Sequence, residues 1–277
     1  MAKTIVITGA TSGIGLAAAK ALAAAGENVV IVGRSDTRAR LAAAQTKAVA
    51  AKGATVGSLV ADLSAQAGVR RLAEEIRGRY PTLDVLANNA GAMYTSRQLS
   101  ADGIELTWAV NHLAPFLLTT LLLDRLKANP AARVITTASD AHLGAHIPFD
   151  DLNAERSYGG FRRYKESKLA NILFTRELAR RLEGSGTAAY CFHPGLVSTG
   201  FNRNNGTLMG LATRLLMTFA RTPEQGAQTL VWLATASADG LVSGAYYVDK
   251  ARRQPSPEAE DSEAAHRLWE LSGAQAR

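Results

Sequence analysis

Residues 4–15 read Thr4-Ile5-Val6-Ile7-Thr8-Gly9-Ala10-Thr11-Ser12-Gly13-Ile14-Gly15. Five β-prone residues run into three glycines, and an alanine-rich stretch over 16–25 follows at once and stops at Gly26. The first part has the signature of a short buried strand, the last that of a helix whose narrow side chains allow close packing on a sheet. Between them the glycines permit a sharp turn and let a phosphate approach the backbone. The helix N-terminus adds unpaired N–H groups and the positive end of its dipole. A trio of glycines alone marks any turn; the strand before and the helix after make it a dinucleotide cradle. The residues expected to line it are Gly9, Thr11, Ser12, Gly13, Ile14 and Gly15.

Outward from this turn the same alternation recurs. Strand-like runs fall at 29–33, 55–61, 85–88, 134–137, 187–192 and 246–248, and helical periodicity fills 37–52, 64–79 and 161–183. Strands alternating with helices imply parallel pairing through helical crossovers. The expected fold is therefore α/β, a Rossmann-like doubly wound sheet of seven parallel strands with helices on both faces. No internal repeat or interdomain linker interrupts it, so residues 1–277 read as one dinucleotide-binding and catalytic domain. The tail 252–277, with Pro255, Pro257 and the acidic run 258–261, reads as loosely held before a short helix near Leu268.

The end of the second strand decides the expected cofactor. A site for NAD would place a carboxylate there to hold the ribose 2′-hydroxyl. This chain has Gly33 followed by Arg34, whose guanidinium suits a 2′-phosphate, with Ser12, Ser35 or Arg38 as helpers. NADP(H) is expected; the competing reading makes Asp36 the ribose ligand. Asp62 and Leu63, after the third strand, are expected to close over the adenine.

Composition removes other classes. The chain has 277 residues, 47% of them hydrophobic, enough for a packed core. Its 31 Lys and Arg against 24 Asp and Glu give a formal charge of +7. The basic pairs Arg162-Arg163, Arg180-Arg181 and Arg252-Arg253 are isolated rather than arrayed in a stripe, so they read as solvated charge and not as a nucleic-acid surface. The single cysteine, Cys191, sits in an apolar run and reads as a buried thiol. The apolar run 113–123 is about half the ~20 residues of a membrane span, and a strand begins almost at the N-terminus. No membrane span, no signal peptide and a cytoplasmic location are expected. His112, His142, His146 and His193 lack the spacing of a metal site; His112 reads as a packed helix residue and His193 as a strand-end hydrogen-bonder.

The sharpest chemical signal is Tyr164-Lys165-Glu166-Ser167-Lys168, which puts a phenol and an ammonium one turn apart on a helix face. A neighbouring ammonium stabilises a phenolate and makes it a usable acid or base. Taken with the glycine turn, Asn88-Asn89-Ala90-Gly91, Asn111, Ser139 and Pro194-Gly195-Leu196-Val197-Ser198-Thr199, the chain resembles the short-chain dehydrogenase/reductase family from Lys3 to about Lys250. The stretches 110–124, 147–152 and Ser167-Lys168-Leu169-Ala170-Asn171 are similar to its retinol dehydrogenase-like branch, most of which uses NADP(H).

The resemblance implies roles. Tyr164 would exchange a proton with the substrate oxygen, and Lys168 would lower its pKa and hold the nicotinamide ribose. Ser139 would hydrogen-bond the substrate oxygen. Asn111 would fix a water of the proton relay through its backbone. Asn89, Pro194, Val197 and Thr199 would touch the cofactor, while Asn88 would tie neighbouring strands. The insertion 140–160 would shape the substrate mouth, and 200–222 would be a lid or a dimer contact. Dimers and tetramers are common in the family, so a homo-oligomer is among the expectations.

The expected function is hydride transfer between NADP(H) and the carbonyl or alcohol carbon of a small apolar aldehyde, ketone or retinoid-like substrate. Two departures weigh on the retinoid: Ala138 stands where the branch often has a second serine, and the membrane anchor of many animal members is missing. The rival from another class is an NADP(H)-binding regulator that has lost turnover. Retention of Ser139, Tyr164 and Lys168 argues against it.

Overall fold

Alternate side chains of a strand leave on opposite faces, so a run that is apolar throughout needs cover on both. Thr4–Thr8 (β1) has that cover in the computed structural model, which describes residues 2–197 and 220–276. Ile5 and Ile7 pack with Ala18 and Leu22 of α1 (Gly13–Ala24) and Leu230 and Leu233 of a later helix. Val6 points the other way into a second layer.

The chain continues through β2 (Asn28–Gly33), α2 (Asp36–Lys47), β3 (Val56–Val60), α3 (Gln66–Arg79) and β4 (Val85–Asn88). A short α4 (Leu106–Trp108), a π-helical turn (Ala109–Leu113), α5 (Ala114–Leu121) and α6 (Leu123–Lys127) lead to β5 (Arg133–Thr137). Then come a 3-10 turn (Asp140–His142), α7 (Gly160–Arg181), β6 (Ala188–His193), α8 (Pro223–Thr235), β7 (Tyr246–Val248), β8 (Ala251–Arg253), α9 (Pro257–Glu260) and α10 (Ser262–Gln275). The second layer joins Val6, Val30, Leu86 and Val134 to Leu72 and Ile76 of α3, Leu117 of α5 and Phe174 and Leu178 of α7.

The strand order is β3-β2-β1-β4-β5-β6-β7-β8. Strand order reverses between β1 and β4, and the carboxyl ends on either side of that switch open the crevice where ligands bind in such sheets. The fold class is as expected, with one correction to its count: the sheet has eight strands, and β8 runs antiparallel to β7. Asp249 and Lys250 both adopt left-handed backbone, φ 51° and 62°, which is the two-residue reversal that closes a hairpin. Ala251-Arg252-Arg253 is exposed, so no apolar pattern announced the strand.

The tail is a second correction. It is docked: Ala265, Leu268 and Ser272 of α10 are buried, and the Trp269 ring stacks on Phe174 at 5.8 Å between centroids and meets Phe116 edge-on at 5.0 Å. Gln66 Nε2 and Arg70 donate to the carbonyls of Gln275 and Ala276, both at 2.6 Å. Prolines and acidic residues suggested looseness, whereas the fixing contacts come from residues more than ninety positions away in the chain. Among the described residues no helix is long and apolar enough to cross a membrane.

Candidate active site

The glycine turn leaves β1 with φ +65° at Gly9 and +55° at Gly13, conformations that L side chains rarely adopt. A Cβ on Gly9 would stand 2.8 Å from Cα of Ala90, so the turn lies directly on the chain leaving β4. Ser12 precedes α1 in extended conformation and makes no side-chain cap, so its hydroxyl takes up none of the first-turn N–H groups. Ile14 packs against the alanine-rich layer and Gly15 is buried.

At the end of β2 the Thr11 side chain occupies the space in which a Cβ on Gly33 would lie. A carboxylate-bearing residue could not stand there without displacing Thr11. Arg34 is exposed at the rim, and Asp36 is engaged by Arg40 Nε at 2.9 Å on the surface of α2. Asp62 folds back on its own loop, accepting from the amide and hydroxyl of Ser64 at 2.9 and 2.7 Å, and Leu63 is half-buried against the core.

Asn89 joins β4 to β1, its amide donating to the Thr8 hydroxyl at 3.0 Å and its Nδ2 to the Thr8 carbonyl at 2.9 Å. The strand-tying expected of Asn88 therefore belongs to its neighbour. Asn88 Nδ2 instead donates to the Thr119 hydroxyl on α5 at 3.0 Å, because its side chain leaves the opposite face of the strand.

On the other side of the switch, β5 ends at Thr137 and Ser139 follows with φ −168°. Tyr164 and Lys168 come from the first half of α7. The Ser139 hydroxyl lies close enough to the Tyr164 phenol to favour its ionised form. Lys168 Nζ donates to the Thr137 carbonyl at 3.0 Å and stands 5.4 Å from the centroid of the Tyr164 ring. Burial pushes the phenol up to about 12, opposed by the Ser139 hydroxyl, and burial pushes the Lys168 ammonium down to about 8. Burial outweighs the Ser139 contribution, so the Tyr164 phenol keeps its proton near pH 7.

Asn111 lies in the π-helical turn. Its Oδ1 accepts from the Ala92 amide at 2.7 Å, and its Nδ2 donates to the Ala92 carbonyl at 2.9 Å and the Ser167 hydroxyl at 3.0 Å. Its side chain thus stitches the loop after β4 to α7. Pro194 is half-buried after β6, and Val197 bridges to Arg221, which pairs with Asp249. Thr199 and residues 200–219 of the expected lid lie outside the described residues.

Sequence reasoning missed the support under Tyr164. Arg163, read as solvated, is 1% exposed. Its Nε donates to Glu105 at 2.9 Å, one terminal nitrogen to Glu166 at 3.1 Å and the other to the Leu152 carbonyl, and its guanidinium lies 4.4 Å over Trp108. Glu105 in turn caps α4, accepting from Thr107 and Trp108 at 2.9 Å. The available signals were the acidic residue heading an apolar helical stretch and an arginine on the apolar side of α7. The histidines behave as read: His112 is buried with Nε2 2.8 Å from the Ser272 hydroxyl, and His193 Nδ1 accepts from the Asp140 amide at 3.2 Å. Cys191 is buried, its thiol pushed up to about 12.

The groups that bear chemistry thus gather on the carboxyl-end rim of a doubly wound sheet, where that architecture receives nucleotides. The description "short chain dehydrogenase" matches residues 3–208, and the chain belongs to that family, in its retinol dehydrogenase-like branch. It is 42% identical to human retinol dehydrogenase 12 over 270 residues, 98% of this chain and 85% of that one. A Streptomyces protein described as a candidate daunorubicin C-13 ketoreductase is 44% identical over 273 residues, 98% and 92% of the two chains. Among solved structures, a candidate NAD(P)-dependent gluconate 5-dehydrogenase from Beutenbergia cavernae, with NADP bound at low occupancy, superposes with a TM-score of 0.72 at 28% identity, covering 89% of this chain and 94% of that one. The protein is a nicotinamide-dependent oxidoreductase acting on alcohol or carbonyl groups of small molecules.

Proposed function

We propose that the protein is an NADP(H)-dependent reductase of small apolar aldehydes and ketones, with Tyr164 as the acid. The observation that carries this reading is the meeting of the Ser139 hydroxyl, the Tyr164 phenol and the Lys168 ammonium at the end of β5, across the switch from the glycine turn.

The donors fit a dinucleotide phosphate. Gly9, Thr11, Ser12, Gly13, Ile14 and Gly15 form the turn and first helical residues that would hold the pyrophosphate, while Arg34, aided by Ser12, Ser35 or Arg38, would hold a 2′-phosphate. Gly33, packed under Thr11, offers no carboxylate for a 2′-hydroxyl. Asp62 and Leu63 would border the adenine, and Asn89, Pro194, Val197 and Thr199 the nicotinamide side. Bound there, the nicotinamide supplies the hydride.

Every other step belongs to the chain. Ser139 and Tyr164 hydrogen-bond the carbonyl oxygen and polarise it, and Tyr164 gives up its proton as charge develops on that oxygen. The Lys168 ammonium stabilises the phenolate left behind and would hold the ribose hydroxyls. The backbone of Asn111, whose side chain is fully engaged, would pass the replacement proton through a water. A phenol that stays protonated near pH 7 is ready to donate its proton in the reductive direction. Substrate apolarity is supported by exposed Leu143, Phe161 and Leu196, close in the chain to Ser139, Tyr164 and Pro194, and by relatives named for retinol.

Tyr164→Phe tests the reading with decanal and all-trans-retinal as substrates. NADPH affinity is expected to stay within about threefold while turnover falls on the order of 10³-fold. Turnover within tenfold of the unaltered enzyme would overturn the role of Tyr164.

A further inference from the structure

His142 is used at both ring nitrogens although it lies outside the groups that meet the substrate. It is 1% exposed. Nε2 stands 3.1 Å from the Ser256 amide, and Nδ1 stands 2.7 Å from the Ser139 carbonyl. A backbone N–H can only donate, so Nε2 is an acceptor, and in the neutral ring the proton resides on Nδ1. That N–H then donates to Ser139. Burial disfavours the imidazolium, in keeping with this single tautomer.

The surroundings leave the turn little freedom. The His142 ring meets Tyr246 edge-on, 5.2 Å between centroids. Tyr246 donates its hydroxyl proton to Asp140 at 2.6 Å, and the Asp140 amide donates to His193 at 3.2 Å. Ser139 itself accepts through Oγ from the Ala141 amide at 3.1 Å. The turn is thus tied at two places: Ser139 through His142 to the chain just before α9, and Asp140 to β6 and β7.

From this geometry we infer that His142 is a positioning residue: its ring N–H clamps the Ser139 backbone so that the serine hydroxyl faces Tyr164, while the Ser256 amide fixes the tautomer that makes Nδ1 the donor. The Ser139 carbonyl also accepts from the His142 backbone amide at 3.0 Å, so without the ring donor it keeps only that bond of the turn, and the hydroxyl loses part of the orientation in which it holds the substrate oxygen. A displacement of about 1 Å at such a group costs on the order of 10²-fold in rate. Because the substrate is held by other groups as well, the loss falls on kcat rather than on KM.

The inference rests on the proposed reductase activity, and two conservative variants test it. His142→Asn keeps a donor near the position of Nδ1, which reaches Ser139, but lacks the acceptor for Ser256. His142→Gln keeps an acceptor near the position of Nε2 but lacks the donor to Ser139. With NADPH and decanal, His142→Gln is expected to lower kcat tenfold or more at unchanged KM and NADPH affinity, while His142→Asn stays within about threefold. In a Ser139→Ala background, His142→Gln should then produce no further loss, because the group it positions is gone. Equal losses in the two variants, or the same loss with and without Ser139, would show that His142 only fills the core and would overturn the clamp. Should the unaltered enzyme reduce neither decanal nor all-trans-retinal with either cofactor, the reductase reading falls by itself. Amide hydrogen exchange then decides the clamp: faster exchange at Ala141 in His142→Gln than in His142→Asn supports it, and equal exchange overturns it.

Discussion

Around β1 and β2 the chain approaches itself where side chains are missing: Gly9 lies on Ala90, Thr11 fills the space over Gly33, and alanines seat α1 on the sheet. Around β5 and α7 the approach is made by buried polar side chains. Arg163 is clasped by Glu105 and Glu166, His142 joins Ser139 to Ser256, and Asn111 joins Ala92 to Ser167. The first region is built to receive a large anionic ligand on bare backbone. The second holds a few side chains in fixed relation, and buried polar groups do that at the risk of a large penalty whenever one partner is lost.

That contrast can be broken most forcefully at Arg163. Arg163→Met removes the cation and leaves Glu105 buried with only its cap donors and Tyr158, and it is expected to cost about 3–5 kcal/mol of stability by urea unfolding. Combining it with Glu105→Gln should restore part of that loss. A cost below about 1 kcal/mol would mean that the network is not what fixes the start of α7.

A smaller effect sharpens the contrast on the catalytic side. Lys168, lowered to about 8 by burial, carries its charge below that pH and loses it above. The stabilisation of the Tyr164 phenolate is lost with it. The kcat for carbonyl reduction should be level between pH 6 and about 7.5 and fall roughly tenfold per unit above about 8. A rate still level at pH 9 would show that the phenol, which keeps its proton there, and not the ammonium, governs the profile.

The two regions also differed in how far the sequence disclosed them. The glycine turn, the strand runs and the pairing of Tyr164 with Lys168 are local patterns, each contained in a few consecutive residues, and all reappear in the structure. Ser139 beside Tyr164 was reached through family likeness rather than spacing. Arg163 misled because an arginine pair at a helix start looks solvated until Glu105, far back in the chain, is seen to lie against it. The tail misled for the same reason: its apolar face finds Phe116 and Phe174, which no local pattern connects to it. β8 carries no apolar signal at all, and only the left-handed pair Asp249 and Lys250 produces it.

Fluorescence titration with NADPH and NADH, of the unaltered protein and of Arg34→Ala, tests the central claim of an NADP(H) site most directly. The account predicts at least tenfold tighter binding of NADPH, a preference that Arg34→Ala abolishes chiefly by weakening NADPH, since one charge-assisted phosphate contact is worth about 1.5–3 kcal/mol. Equal affinity for the two cofactors in the unaltered protein, or a preference that survives Arg34→Ala, would contradict it.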